Sequence, residues 1–152
     1  MLTTHQKNVA AVIHLSALSK FIFPLGNLIM PLILWSINKE KSEFIDKHGK
    51  QAINFQISLL LYTIIIGSLT IPLFLFGVLH SIDFPWFWNF YDYDFDFHLS
   101  HRDSFSAVLF VLILGLLALG VFIFEIIFIV IATSKANQGE PFKYPITINF
   151  LK

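Results

Sequence analysis

The chain has 152 residues, of which 56% are hydrophobic and 13% are charged, and 18 of them are phenylalanine. This is more apolar surface than a water-soluble core of that size can bury, so the composition favours a membrane protein. The charges of ten basic and ten acidic residues cancel, so the chain has no net positive charge that would attract nucleic acid. The chain has no cysteine, which excludes disulfides, thiolate metal sites and cysteine nucleophiles.

The first apolar segment, residues 8–38, is longer than the roughly 20 residues that a helix needs to cross the hydrocarbon core. Pro24 and Pro31 predict a break or a kink within it. Two interpretations remain open. In the preferred one, a short amphipathic or re-entrant helix over about 8–20 precedes a first crossing over 21–38. In the other, the segment is one long, kinked and tilted span.

A basic turn over 39–51 leads into a second predicted span over 52–79. Gln51, Asn54 and Ser58 recur at helical spacing and therefore lie on one face of this span. In lipid an unsatisfied amide is costly, so this face is expected to point into a helical bundle.

The third predicted span covers residues 105–134. Glu125, the one carboxylate inside it, shares a stripe with Gly115 and Ala132, which indicates a helix interface. After the span, Gly139 is expected to end the helix. The prolines that follow predict an extended tail over 139–152.

Lysine placement gives the orientation. Lysines are concentrated in the basic turn and in the tail, whereas the loop over 80–104 carries five aspartates and one arginine. By the positive-inside rule, the turn and the C-terminus are cytoplasmic and the acidic, aromatic loop faces outward.

Four motifs stand out in the chain: HLSAL at 14–18, GNLIMPLILW at 26–35, DKHGKQAINFQ at 46–56 and GEPFKYPITI at 139–148. Together they resemble a family of small bacterial membrane proteins that is grouped as a domain of unknown function. That family is distantly similar to the twenty-kilodalton component of the chloroplast inner-envelope protein import complex. The resemblance implies a multi-helix membrane protein without enzyme activity and, for the plastid relatives, a role in a protein-conducting complex. It covers nearly the whole chain except residues 80–104.

Ten residues of these motifs and spans are candidates for interaction or function. His48 and Asn54 are suited to gate or contact a translocating peptide, but a helix start and amide packing in a bundle also explain them, and this structural interpretation is preferred. Glu125 is suited to a proton or ion relay, or it stays protonated and bonds a neighbouring Ser or Asn, since the neighbouring spans offer no obvious basic partner. The candidates are His14, Asp46, His48, Gly49, Asn54, Gln56, Glu125, Gly139, Tyr144 and Pro145.

The outer loop offers two further kinds of candidate. Its aromatic residues Trp86, Trp88, Tyr91 and Tyr93 are suited to docking, because Trp and Tyr are frequent interface anchors. Its carboxylates alternate with aromatic residues, and together with two histidines they form a weak candidate metal site. The spacing matches no standard site, so an interfacial aromatic belt with solvated acids is the preferred interpretation. The metal candidates are Asp94, Asp96, His98 and His101.

No nucleophile, phosphate-binding loop or catalytic carboxylate pair stands out in the sequence, so we expect no enzyme activity and no cofactor. We predict an all-α integral membrane bundle with three clear transmembrane helices and a short N-terminal helix, located in the bacterial inner membrane. The preferred function is a small subunit of a larger membrane complex for protein translocation, insertion or quality control. Its expected partners are lipids and other integral membrane proteins, such as a protein translocase. The alternative is a homo-oligomeric channel or transporter that uses Glu125.

Overall fold

A computed structural model describes residues 2–81 and 101–151 of the chain. This part is helical, and the prediction of an all-helical protein is confirmed for it. Two short 3₁₀ segments, Ser16–Phe21 and Lys39–Lys41, connect the first three helices. The helices are α1 (Thr4–Leu15), α2 (Gly26–Asn38), α3 (Glu43–Ser81) and α4 (His101–Gln138).

The chain forms two compact units, and the two long helices contribute to both. Unit 1 consists of Met1–Thr63 and Val121–Lys152, and unit 2 consists of Ile64–Gly120. Unit 1 therefore contains α1, α2, the first half of α3, the second half of α4 and the tail. The polar side chains described below all belong to unit 1.

A capping box starts α1. The Thr3 hydroxyl accepts a hydrogen bond from the Gln6 backbone N–H at 3.2 Å, and the Gln6 side chain accepts one from the Thr3 N–H at 2.9 Å. Both bonds satisfy backbone donors that the first helical turn leaves free. From this start, Ala10, His14 and Ala17 recur on one face and are buried.

Helix α2 has 13 residues and is therefore about 20 Å long, which is shorter than the hydrocarbon core of about 30 Å. Two other stretches, Glu43–Pro72 of α3 and Val108–Gln138 of α4, are long and apolar enough to cross a membrane. Among the described residues, the structure thus contains two candidate spans. The prediction of three clear transmembrane helices is not confirmed, because the chain leaves its helical path at Leu25, where φ is 59°.

Helix α3 begins at Glu43, within the segment that the sequence predicted as a turn, so the non-helical connection is much shorter than residues 39–51. Gly49 faces the Trp35 ring so closely that a Cβ at this position would lie 2.1 Å from the ring. The indole N–H of Trp35 donates to the Asp46 carboxylate at 2.9 Å. This close packing holds α2 against the start of α3 and explains why residue 49 is glycine.

Burial along α4 differs between the two units. In unit 1, Glu125, Ile129 and Ala132 are buried, as the small-residue stripe predicted. In unit 2, the stripe continues through Val108 and Val111, which are more than half exposed. An exposed apolar face is the surface that a helix presents to lipid. The stripe is therefore an internal helix contact only in the half of α4 that belongs to unit 1.

Candidate functional site

The interior of unit 1 holds a chain of three hydrogen-bonded side chains from three elements. His14 lies in α1, His48 in the second turn of α3 and Tyr144 in the tail, and each is at most 2% exposed. His14 Nε2 lies 2.8 Å from His48 Nδ1, and His14 Nδ1 lies 3.0 Å from the Tyr144 hydroxyl. We call this group the histidine–tyrosine chain. The sequence had singled out all three residues, and the structure brings them together.

Aromatic and small side chains enclose the histidine–tyrosine chain. The Phe44 ring lies with its centroid 4.3 Å from the centroid of His48. Phe55 stacks on Tyr144 with ring centroids 4.1 Å apart and an interplanar angle of 13°. Such packing excludes water, so the polar atoms inside must bond one another.

Two proton arrangements satisfy the two contacts of His14. In the first, Tyr144 donates to His14, which donates to His48, and the His48 proton lies on Nε2. In the second, His48 donates to His14, and His14 donates to Tyr144. In both, His48 Nε2 is buried and has no hydrogen-bond partner among the described residues.

Burial sets the charge of the two members that lie outside the candidate spans. Burial, and secondly the nearby His48, lowers the pKa of His14 to about 3. Burial also raises the pKa of the Tyr144 hydroxyl, and the neighbouring Glu125 raises it further. His14 and Tyr144 are therefore uncharged at neutral pH.

A buried ion pair joins the first 3₁₀ segment to α4. The ammonium of Lys20 contacts the Glu125 carboxylate, and their side chains are 22% and 8% exposed. The same ammonium lies 5.0 Å from the centre of the Phe122 ring, within range of a cation–π contact. Glu125 Oε1 is buried and has no hydrogen-bond partner among the described residues.

The sequence did not predict the contact that Lys20 makes with Glu125. The sequence predicts no obvious basic partner for Glu125 in the neighbouring spans, and the structure corrects this prediction. A signal was present, because Lys20 is the only Lys, Arg, Asp or Glu between Lys7 and Lys39. A single cation in an apolar stretch and a single carboxylate in another are expected to pair, because each is costly alone.

The tail runs along one face of α3 and is held there by side chains that bond its backbone. Asn54 does this twice, since its amide donates to the Leu151 carbonyl at 3.0 Å and accepts from the Leu151 N–H at 2.9 Å. The Ser58 hydroxyl accepts from the Ile148 N–H at 2.9 Å. Tyr62 donates to the Ile146 carbonyl at 2.9 Å, and Gln51 accepts from the Tyr144 N–H at 3.4 Å. The predicted polar face of this helix therefore binds the tail.

Replacing Asn54 with alanine is expected to loosen the end of the tail. The substitution removes both hydrogen bonds to Leu151. At about 1 kcal/mol each, their loss predicts that the Leu151 amide exchanges its hydrogen at least roughly tenfold faster. Hydrogen–deuterium exchange of the protein in detergent measures this. Thr63→Ala is the control, because the Thr63 hydroxyl bonds only the Leu59 carbonyl of its own helix, and exchange as slow as in the wild type would contradict the role of Asn54.

Three further candidates of unit 1 lie outside the histidine–tyrosine chain. Gln56 accepts a hydrogen bond from the Asn27 side chain at 2.8 Å, which joins α2 to α3. Gly139 has a φ of 82°, and a Cβ there would lie 2.8 Å from the side chain of Lys7. Pro145 is half-buried in the tail. None of these three belongs to the histidine–tyrosine chain.

The outer-loop candidates fall outside the part of the chain whose side chains the structure describes. This applies to the docking candidates and to the metal candidates alike. Within the described residues, no group of three or more His, Asp or Glu side chains is placed to hold a metal ion. The candidates concerned are Trp86, Trp88, Tyr91, Tyr93, Asp94, Asp96, His98 and His101.

Comparison with known families decides which proteins the chain is related to. Residues 5–151 match the model of the MamF/MmsF family, the magnetosome magnetite crystal formation protein family. The chain belongs to this family. Neither the comparison with curated proteins nor the comparison with solved structures gives a match.

Family membership confirms the coarser part of the sequence interpretation. The protein belongs to a bacterial family of small magnetosome membrane proteins, and its apolar helices agree with a location in a bacterial membrane. The family description concerns magnetite crystal formation. It gives no support to a similarity with the chloroplast import component, to a translocase partner or to a role in protein translocation.

Proposed function

We propose that this protein is a non-enzymatic membrane subunit that takes part in magnetite crystal formation. The family match over residues 5–151 is the observation that carries the proposal. The buried polar side chains of unit 1 support the non-enzymatic part. His14 and Tyr144 bond within the histidine–tyrosine chain, Lys20 pairs with Glu125, and Asn54 binds the tail.

In this proposal, unit 1 is a structural anchor. Its polar groups join α1, the first 3₁₀ segment and the tail to the two helices that contain the candidate spans. Hydrogen bonds between buried side chains from different elements fix one arrangement of those elements. The anchor would hold the ends of α3 and α4 in a fixed arrangement at one surface of the membrane.

The groups proposed to meet iron lie in residues 80–104, on the side away from the cytoplasm according to the positive-inside rule. Five aspartates and three histidines are concentrated there. Carboxylate and imidazole groups are the usual protein ligands of non-haem iron. This part of the proposal rests on composition and on the family description, since the side chains of this segment lie outside the described part of the chain.

Magnetite precipitation on proteoliposomes tests the function. The purified protein is reconstituted in liposomes, and ferrous and ferric ions are co-precipitated by slow addition of base. We expect a different mean crystal size and a narrower size distribution by electron microscopy than with empty liposomes, because carboxylates at the membrane surface would bind iron where crystals begin.

Two variants make this test specific. Replacing the five aspartates of residues 80–104 with asparagine is expected to remove the effect on crystal size. Replacing the exposed Glu40 and Glu140 with glutamine removes carboxylates on the opposite side and is expected to leave the effect intact. Crystals that match those of empty liposomes with the wild-type protein would refute the proposed function.

The membrane complex to which the protein belongs is a separate question. Purification of the tagged protein in mild detergent, followed by mass spectrometry, identifies its partners. We expect other membrane proteins in a fixed ratio, and recovery of a translocase would favour the role in translocation, insertion or quality control. A channel that uses Glu125 has less support, because Lys20 already neutralises that carboxylate.

A further inference from the structure

A cavity of about 500 Å³ opens between the first two turns of α3 and the tail. Glu43, one of its lining residues, is also the first residue of the candidate span Glu43–Pro72. In a crossing that begins at Glu43, the cavity would lie where the span enters the membrane, which is the headgroup region of a bilayer. Part of its wall is apolar and is formed by Phe44, Pro141, Phe142 and Leu151.

The charged part of the wall consists of two acid–base pairs. Lys47 Nζ lies 2.8 Å from Glu43 Oε1, and Lys50 Nζ lies 2.6 Å from Asp46 Oδ2. All four residues line the cavity, so its net charge is zero. The first pair is the more exposed of the two, with side chains that are 70% and 80% accessible, and it is free to exchange partners.

A neutral pair of opposite charges favours a ligand that carries both signs. An anion would gain a lysine but would face the neighbouring carboxylate, and a cation would meet the reverse problem. A zwitterion can place its negative group on the ammonium and its positive group on the carboxylate at the same time. The apolar wall beside the charges suits a ligand that continues into hydrocarbon.

We propose that this cavity binds the headgroup of a zwitterionic phospholipid that carries a primary ammonium, of the phosphatidylethanolamine class. Its phosphate accepts hydrogen bonds from Lys47, and its ammonium donates to Glu43. The glycerol region packs on Phe142 and Leu151. A primary ammonium is required because a quaternary one has no proton to donate to the carboxylate.

Lipid binding in nanodiscs tests this proposal. The full-length protein is placed in nanodiscs that contain equal amounts of phosphatidylethanolamine and phosphatidylglycerol. The protein is then released from the nanodiscs, and the lipids that stay bound to it are counted by native mass spectrometry. Exposed charge pairs contribute little each, so we expect an enrichment of phosphatidylethanolamine of about threefold. The same experiment with phosphatidylcholine in place of phosphatidylglycerol is expected to give a similar preference.

A matched pair of double variants places the binding at the cavity. Glu43→Gln with Lys47→Gln removes both proposed contacts without a change in net charge, and we expect the enrichment to disappear. Glu40→Gln with Lys41→Gln makes the same chemical change at exposed residues that do not line the cavity, and we expect it to keep the enrichment. Equal thermal unfolding of the two variants shows that the first has not lost its fold.

Several results would overturn the proposal. Equal retention of phosphatidylglycerol would show that the site does not select a zwitterion, and equal retention of phosphatidylcholine would show that the ammonium donates no hydrogen bond. Loss of enrichment in both double variants would place the binding elsewhere. Displacement of the lipid by an equal concentration of free phosphoethanolamine would assign the site to a soluble headgroup. The magnetite test does not depend on lipid class, so either proposal can fail alone.

Discussion

Replacing Lys20 with methionine is expected to destabilise the protein by about 3 kcal/mol. The substitution leaves the Glu125 carboxylate buried without its counter-ion, and breaking one side of a buried ion pair typically costs about 3–5 kcal/mol. The lower end of this range applies because the side chain of Lys20 is 22% exposed, so the ion pair is only partly removed from water. The free energy of unfolding is measured by SDS titration in mixed micelles.

A double-mutant cycle separates the ion pair from general packing. Glu125→Met alone leaves Lys20 without its partner and is expected to cost a similar amount. The double variant with methionine at both positions leaves no unpaired charge and is expected to be close to the wild type. Lys135→Met is the control, since the Lys135–Glu140 pair is about half exposed and should contribute almost nothing. If the effects of the two single substitutions simply add, the pair is not coupled and the prediction is wrong.

Replacing His14 with leucine is expected to cost about 4 kcal/mol. Leucine fits the buried position but leaves the Tyr144 hydroxyl and His48 Nδ1 without their partner. Each buried group that loses its hydrogen bond costs about 1–3 kcal/mol. The same SDS titration measures the loss, and the exposed His5→Leu is the control.

A second substitution tests whether the loss comes from the unpaired hydroxyl. Adding Tyr144→Phe to His14→Leu removes one of the two unsatisfied groups, so we expect the double variant to recover about 1–3 kcal/mol. A double variant less stable than His14→Leu alone would contradict this explanation: it would show that the Tyr144 hydroxyl is satisfied without His14, because phenylalanine keeps the ring that stacks on Phe55.

The pH dependence of stability gives an independent measure of the same site. Folding lowers the pKa of His14 from 6.5 to about 3, mainly through burial, so the unfolded chain binds more protons between these values. The contribution of His14 to the free energy of unfolding is therefore fully present above pH 6.5, and it decreases as the pH falls towards 3. Linkage gives a loss of about 2 kcal/mol at pH 5, and the His14→Leu variant should lack this part of the pH dependence. The other groups close to His14 are His48 and Tyr144 along its hydrogen bonds and Glu125 near Tyr144.

Much of unit 1 could be predicted from local sequence patterns. Helical spacing identified the polar face of α3 that includes Asn54, because periodicity depends only on the neighbouring residues. Gly139 was correctly placed at the end of α4, since a φ of 82° is a conformation that glycine adopts without strain. These predictions needed no knowledge of which elements meet.

The misjudged features involve residues that are distant in the sequence. Lys20 and Glu125 are 105 positions apart, and only the folded chain brings them into contact. A first crossing was expected because hydrophobicity continues through residues 21–38, yet the chain turns at Leu25 and leaves α2 with 13 residues. Composition records how apolar a segment is, whereas its path depends on backbone angles and on the side chains it packs against.

The sequence by itself determined the chemical class of this protein. A chain that is 56% hydrophobic with few charges requires an apolar solvent, and the spacing of its polar residues shows which helix faces avoid that solvent. Only the tertiary structure decided the partners of those polar residues. His14 meets His48 and Tyr144, and Lys20 meets Glu125, because a buried polar group is stable only beside a complementary one, and sequence spacing does not show which distant group will be there.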